Sequence, residues 1–530
     1  MGYVEGISRD QIMMVDLESL IPEESECRVI DAFCEKLDTK KMGFKHSEVK
    51  DEGRPAYPPK VLIKLFLYGY LNRICSSGQL AKEAKRNIEI IWLVNGMQPS
   101  KRTLCYFKEH NKKALREVFL AFNRFYRKIG LFGKSTVALD SVKVKANNSK
   151  KRNHNKITVE RTLKKTEERI DEYMSALDEA DKNDGYNEER DLTTEQIHGI
   201  LDKLNAKKEK FEGLKQKLEE TGETQISETD PDSRCMKQGS GKGMDVSYST
   251  QVVTEEKSKM IVDYETTNNG SDKGHLVEMG ERAKDFLETE TINMTADTGY
   301  HDGKEMLEAE AKGITCIIPK GKPGNQHAED GYTRDKFSYD EEKDVYVCPE
   351  NQTLTKTGEK TDSNGDKAYI YANHSACKNC PNRSKCTKAK HRVLCRKSYQ
   401  NEVDKLDKRF IKLKGVYKKR QEIIEHQFGT IKWVWGFDRY YAKGIESAAA
   451  ENALRFTAYN LRRAINIIGV KELVKMIEQL FYSLKFLLLS IIDTLVRKQG
   501  LFCHYDMIIF LSCCTGCIES DNFCSITWTR

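Results

Sequence analysis

The chain has 530 residues, with 88 Lys and Arg against 81 Asp and Glu, 38% hydrophobic and 32% charged residues, and 16 cysteines. That length holds roughly two to four domains with a sizeable core, and the composition reads as soluble, with extended charged helices. Secretion and membrane spanning are excluded as readings: residues 1–20 mix acids with short apolar stretches and lack a signal core. The most apolar stretch, 480–496, is interrupted by Lys485 and Asp493 and reads as a buried or partner-binding helix.

Residues 1–130 read as helical. Pro58 and Pro59 suit the first turn of a helix through V-L-I-K-L-F-L-Y-G-Y-L. Ser76 and Ser77 can cap a second helix, Asn95-Gly96 marks a turn, and a longer helix follows Pro99. Short helices with tight turns fit either a helix-turn-helix-like DNA reader or a helical packing domain.

An apolar run then predicts a strand over 136–144 that delivers Asp140. Residues 157 to about 223, rich in Glu, Lys and Leu, read as an antiparallel helical hairpin. The alternating runs 246–253 and 260–266 read as a strand hairpin. A helix over 273–287 follows, then a strand over 291–295 that delivers Asp297, a helix near 304–311 and a strand over 315–319. Residues 321–400 hold Cys348, Cys377-x-x-Cys380 and Cys386, whose thiolates could form a tetrahedral structural Zn²⁺ site; unmetallated cysteines in a small β-rich insert are the alternative. Glu425 lies on a basic helix over 417–432, with Glu422 as its rival. The tail holds Cys503, Cys513, Cys514, Cys517 and Cys524, with no function assigned.

Three carboxylates carry the chemistry. Two strand-end aspartates and a helical glutamate can share a pair of Mg²⁺ or Mn²⁺ ions, because hard divalent cations favour carboxylate oxygens. Two metals activate the attacking oxygen and stabilise the leaving oxygen of a phosphodiester. Asp140 and Asp297 can also be read as turn or cap residues, and Asp245, Asp272 and Asp302 are nearby acids that could assist or cap. The basic charge is concentrated where DNA would lie: seven Lys and Arg against one acid over 134–156, and sixteen against three over 378–420. Sixteen cysteines without a signal peptide point to a reducing cytosol, where disulfides are disfavoured.

In the order G-R-P-A-Y-P-P-K (53–60), L-Y-G-Y (67–70), R-N-I-E (86–89), A-D-T-G-Y (296–300) and I-E-H-Q-F-G-T-I-K (424–432), the chain resembles a DDE transposase of a bacterial insertion sequence. The resemblance implies a mixed α/β fold with an RNase H-like catalytic core over 131–156, 227–320 and 401–470. An InsH-like helical domain over 1–130 would bind DNA ends, with a helical hairpin over 157–226, a Cys-rich insert over 321–400, and a C-terminal helix and tail over 471–530. It implies Asp140, Asp297 and Glu425 as catalytic metal ligands. Tyr417, Arg420 and Lys432 resemble the Y-R-E-K signature that grips terminal phosphates, and Lys143 and Lys145 would also contact DNA. Four residues separate Arg420 from Glu425, where that signature has three. Trp433 and Trp435 fit core packing better than base stacking. Partners would be double-stranded transposon ends and target, bound by a homodimer in the bacterial cytoplasm, at the nucleoid and with no membrane. A DNA-binding protein without catalysis and a metal-dependent nuclease of the same fold are the competing readings.

Overall fold

The computed structural model describes residues 14–48, 55–182, 186–187, 189–239, 243–321, 329–362 and 365–480. The rest of the apolar stretch that begins at Leu480, and the tail cysteines, lie outside these residues.

The N-terminal helices are α1 (Glu26–Glu35), α2 (Pro59–Leu71), α3 (Ser77–Glu83), α4 (Ile88–Leu93), α5 (Lys101–His110) and α6 (Lys112–Lys128). Side-chain caps start α1, α4 and α5: Ser25 accepts from the Cys27 amide, Asn87 from Ile90 and Ser100 from Thr103, whereas Ser76 before α3 makes no side-chain cap bond. Helix α2 opens on proline, which has no amide hydrogen to lose, and nearly all its residues are buried. The longer helix expected after Pro99 is divided at Asn111. That side chain donates to the Phe107 carbonyl one turn back (2.9 Å) and accepts from the distant Lys45 amide (2.7 Å), so side-chain bonds hold the chain at the break.

Chain order continues through β1 (Thr136–Lys145), β2 (Asn153–Asn155), α7 (Lys156–Lys182), β3 (Tyr186–Asn187), β4 (Leu192–Thr193), α8 (Thr194–Thr221), β5 (Gln225–Ser227) and β6 (Arg234–Lys237). Next come β7 (Met244–Glu255), β8 (Ile261–Thr267), α9 (Leu276–Leu287), β9 (Ile292–Thr295), α10 (Gly303–Ala311) and β10 (Ile314–Ile317). Among the described residues these build a six-stranded sheet, ordered β10-β9-β1-β7-β6, with β8 also paired to β7. Strand β1 runs antiparallel to β7, and β7 to β8, so the expected hairpin forms. Strands β1, β9 and β10 are mutually parallel, with Ala138 beside Thr295.

The chain then forms β11 (Ser338–Asp340), β12 (Val345–Val347), β13 (Thr353–Thr361), β14 (Lys367–Ala372), α11 (His374–Lys378), α12 (Arg383–Cys386) and β15 (Val393–Lys397). Its five strands pair in chain order as a separate antiparallel sheet. Helices α13 (Gln400–Phe428) and α14 (Ile445–Ile468) follow, joined through a π-helical turn over Gly429–Val434.

Helix α14 ties the N-terminal helices to the large sheet. Asn460 donates to Asn123 of α6 (2.8 Å) and to the Ile261 carbonyl (2.8 Å), and accepts from the Ile261 amide (2.8 Å). Asn123 in turn donates to the Ile261 and Val262 carbonyls. These buried amides are satisfied on both faces, so they specify register without a desolvation penalty. The apolar faces of α2 and α6 therefore lie in one core with β8, α9 and α14.

Candidate active site

Sheet register brings the two aspartates together, although Asp140 lies midway along β1 and not at a strand end as expected. Ala138 and Thr295 are partners across β1 and β9, and Asp140 and Asp297 each lie two residues further along adjacent parallel chains, whose spacing is about 4.8 Å. Side chains alternate along a strand, so Asp140 shares the face of Ala138, on which Ile423 and Ile424 of α13 pack.

Asp297 ends its strand as an N-cap, accepting from the Gly299 amide at 2.8 Å. Asp272 is a third acid of this cluster. A Cβ on Gly299 would stand 3.0 Å from both Asp272 Oδ2 and Asp297 Oδ1, so the loop passes between the carboxylates only without a side chain. Asp272 is held from below: fully buried Tyr300 donates to Gln251 Oε1, and Gln251 Nε2 donates to Asp272 Oδ1 at 3.5 Å. The sequence placed Asp272 near the site only as a helper or cap. Its position depends on Gln251, a β7 residue of no marked pattern.

Burial pushes the Asp140 carboxyl up to about 6; Arg420 opposes this and Asp297 adds to it. Burial and the charges of Asp140, Asp272 and Asp297 keep the Tyr300 phenol far above its ordinary value, so it stays a donor. The counter-ion of Asp140 is Arg420, whose Nη2 lies 2.7 Å from Oδ2.

Glu425 is placed differently. It is exposed on α13 and accepts from Gln421 Nε2 at 2.8 Å. At 3.6 residues per turn, five residues turn Glu425 about 140° from Arg420. One fewer residue between them would bring both to one face. The extra residue puts Gln421 where the signature's arginine would stand, while Arg420 turns to the sheet with Ile423 and Ile424. Its rival Glu422 is exposed and paired with Lys259.

Lys432 follows in the π-helical turn and donates to the Lys143 carbonyl at 2.9 Å. Lys145 is exposed and pairs with Asp245 at 3.3 Å. Tyr417 stacks edge-on against Phe410, with ring centroids 5.2 Å apart. Trp435 is buried against Phe437; the Trp433 side chain lies outside the described residues.

The two N-terminal motifs also meet: Tyr68 donates to Glu89 Oε2 at 2.5 Å, and Ser25 donates to Glu89 Oε1 at 2.7 Å. Behind the site, sequence reasoning missed a buried charge network in which Glu451 accepts from Lys108 (3.2 Å) and Arg455 (3.1 Å) and from the Tyr441 and Ala442 amides.

Among the described residues, no three His, Cys, Asp or Glu side chains converge as a finished metal-ligand set. The donors nevertheless suit a hard cation. Asp140 and Asp297 are neighbouring carboxylates, one of them largely buried, and a guanidinium already answers their charge.

The family described as Transposase DDE domain matches residues 347–465, and Transposase domain (DUF772) matches residues 15–110. No curated protein matches the chain. A piggyBac transposase synaptic complex with hairpin DNA aligns at 7% identity over 92% of this chain and 85% of that one, with a TM-score of 0.26, too low to bear on the fold. The two matched domains define a nucleotidyl-transfer enzyme of a class that generally uses divalent metals. Both matched domains are transposase domains, and together they support an insertion-sequence DDE transposase whose function is DNA transposition. No helix among the described residues is long and apolar enough to cross a membrane.

Proposed function

We propose that the six-stranded sheet is an RNase H-like core, and that Asp140, Asp297 and Glu425 are the catalytic carboxylates of end cleavage and strand transfer. The observation that carries this is the β1–β9 register, which sets Asp140, midway along β1, beside Asp297, just past the end of β9. The strand order supports the same reading: β1 is flanked by an antiparallel hairpin on one side and two parallel strands on the other.

Asp140, Asp297 and Glu425 would hold Mg²⁺ or Mn²⁺, which when bound supplies an activated oxygen nucleophile and stabilises the leaving oxygen. Arg420 neutralises Asp140 until the cation is present, and is then available to a DNA phosphate. Glu425 reaches the aspartates by a rotation or shift of the helical turn that leads into Gly429–Val434, a segment whose π-helical hydrogen bonds are of the kind found at functional sites. Lys143, Lys145, Tyr417 and Lys432 would hold the terminal phosphates. Residues 1–130 would bind DNA ends, and a homodimer would join two ends in the bacterial cytoplasm.

The test is a duplex carrying the element's own ends, incubated with the protein and Mg²⁺ and a target plasmid. A nick that leaves a 3′-OH, followed by its joining to the target, is the expected product. Joining that persists in EDTA would rule the proposed chemistry out.

A further inference from the structure

Cys348 follows β12, Cys377 and Cys380 lie at the end of α11 and just after it, and Cys386 ends α12, yet all four line one cavity of about 30 Å³, with Phe337 and Leu354 among the other lining residues. All four are free thiols. The turn after β12 is shaped around the first sulfur: Gln352 N–H donates to Cys348 Sγ at 3.3 Å, Cys348 N–H donates to the Gln352 carbonyl at 2.9 Å, and Asn351 N–H donates to the Cys348 carbonyl at 2.8 Å. Asn351 takes φ +57°, a left-handed value that closes this turn. A second turn carries the CxxC pair, with Cys380 N–H donating to the Cys377 carbonyl at 3.5 Å and Arg383 N–H to that of Cys380 at 3.3 Å. Glu350 links the two turns, accepting from Tyr332 (2.5 Å) and Asn382 (3.0 Å) through one carboxylate oxygen.

This water-sized cavity is walled by four sulfurs and the apolar Phe337, Pro349 and Leu354, with Glu350, Arg383 and Arg392 also in its wall. It suits a soft divalent ion, since four thiolates at about 2.3 Å complete a tetrahedral shell. The side chains line the cavity without yet converging on a point; metal binding would draw them in and release their protons to solvent.

The cavity is joined to α13 through β15. Arg392 lines it and donates to the Cys386 carbonyl at 3.2 Å, immediately before β15. At the far end of β15, buried Arg396 donates to Asn401 (2.5 Å) and Asp404 (2.7 Å) in the first turns of α13.

We propose that Cys348, Cys377, Cys380 and Cys386 bind one structural Zn²⁺, and that this metal anchors β15 and thereby the start of α13, the helix that carries Arg420 and Glu425. This site is independent of the proposed catalytic roles. Metal content is measured on the full chain purified from zinc-supplemented cells. The wild type is expected to carry about one zinc per chain, Cys377→Ser/Cys380→Ser to carry little, and the tail variant Cys514→Ser/Cys517→Ser to match the wild type. Cys386→His, which keeps a ligand, should retain zinc where Cys386→Ser loses most of it. Zinc-stripped wild type titrated with Co²⁺ should develop thiolate-to-cobalt absorption, and chelation should speed hydrogen exchange over 393–404. A wild type that binds neither zinc nor cobalt overturns the proposal. So does zinc that survives Cys377→Ser/Cys380→Ser and leaves with the tail variant.

Discussion

Arg420 and Asp140 form a half-buried ion pair across α13 and β1, with Nη2 2.7 Å from Oδ2 and side chains 16% and 19% exposed. The pair gives the acid cluster a resident cation and docks α13 on the sheet. Arg420→Ala should therefore lower the stability of the metal-free protein by about 1–3 kcal/mol, because it leaves a largely desolvated carboxylate unpaired. Urea unfolding with and without Mg²⁺ checks this: Mg²⁺ should restore more stability to the variant than it adds to the wild type. Equal effects on both would separate Arg420 from the cation's role.

The Asp140 carboxyl, raised from 3.8 to about 6, sets a pH window. Between those values the folded protein holds a proton that the unfolded chain releases, so this group's contribution to stability is greatest at low pH and declines as pH rises through about 6. A divalent cation must displace that proton. The thermal stabilisation by Mg²⁺ or Mn²⁺ should be small at pH 5, develop through about pH 6 and level off above it. In Asp140→Asn it should be largely lost, and a shift in the wild type independent of pH would contradict the assignment.

Much of this was legible in the sequence. The alternating runs of β7 and β8 and the apolar run of β1 announced the sheet, and apolar runs ending in acid marked Asp140 and Asp297. What the sequence hid depends on distant partners. Asn111 breaks a helix through the Lys45 amide, and Asp272 enters the cluster through Gln251 and Tyr300. The extra residue between Arg420 and Glu425 was visible, but its consequence was not, because which face of α13 meets β1 is decided by Ile423 and Ile424 packing on Ala138.

Glu451 lies fully buried between Lys108 and Arg455. Glu451→Ala would strand two cations in the core and should cost about 3–5 kcal/mol. Glu451→Gln, which keeps hydrogen-bonding atoms, should cost less. Chemical denaturation of the two variants gives the comparison, and equal small losses would show that the network contributes little.

Lys145 is exposed beside the proposed DNA path. Lys145→Ala should weaken end binding modestly and reduce the slope of log affinity against log salt by about one. Titrations over a range of salt measure that slope, and an unchanged slope would place Lys145 away from the phosphates.

Asp140, Asp297 and Glu425 are proposed to act as one site although Glu425 stands apart from the aspartates in the free protein. End cleavage with Mg²⁺, measured for wild type, Asp297→Ala, Glu425→Gln and Asp272→Asn at matched end binding, tests it most directly. Glu425→Gln should lose cleavage as completely as Asp297→Ala, by about a thousand-fold or more, while Asp272→Asn retains measurable cutting. Wild-type cutting by Glu425→Gln, with none by Asp272→Asn, would transfer the third carboxylate to Asp272 and contradict the account.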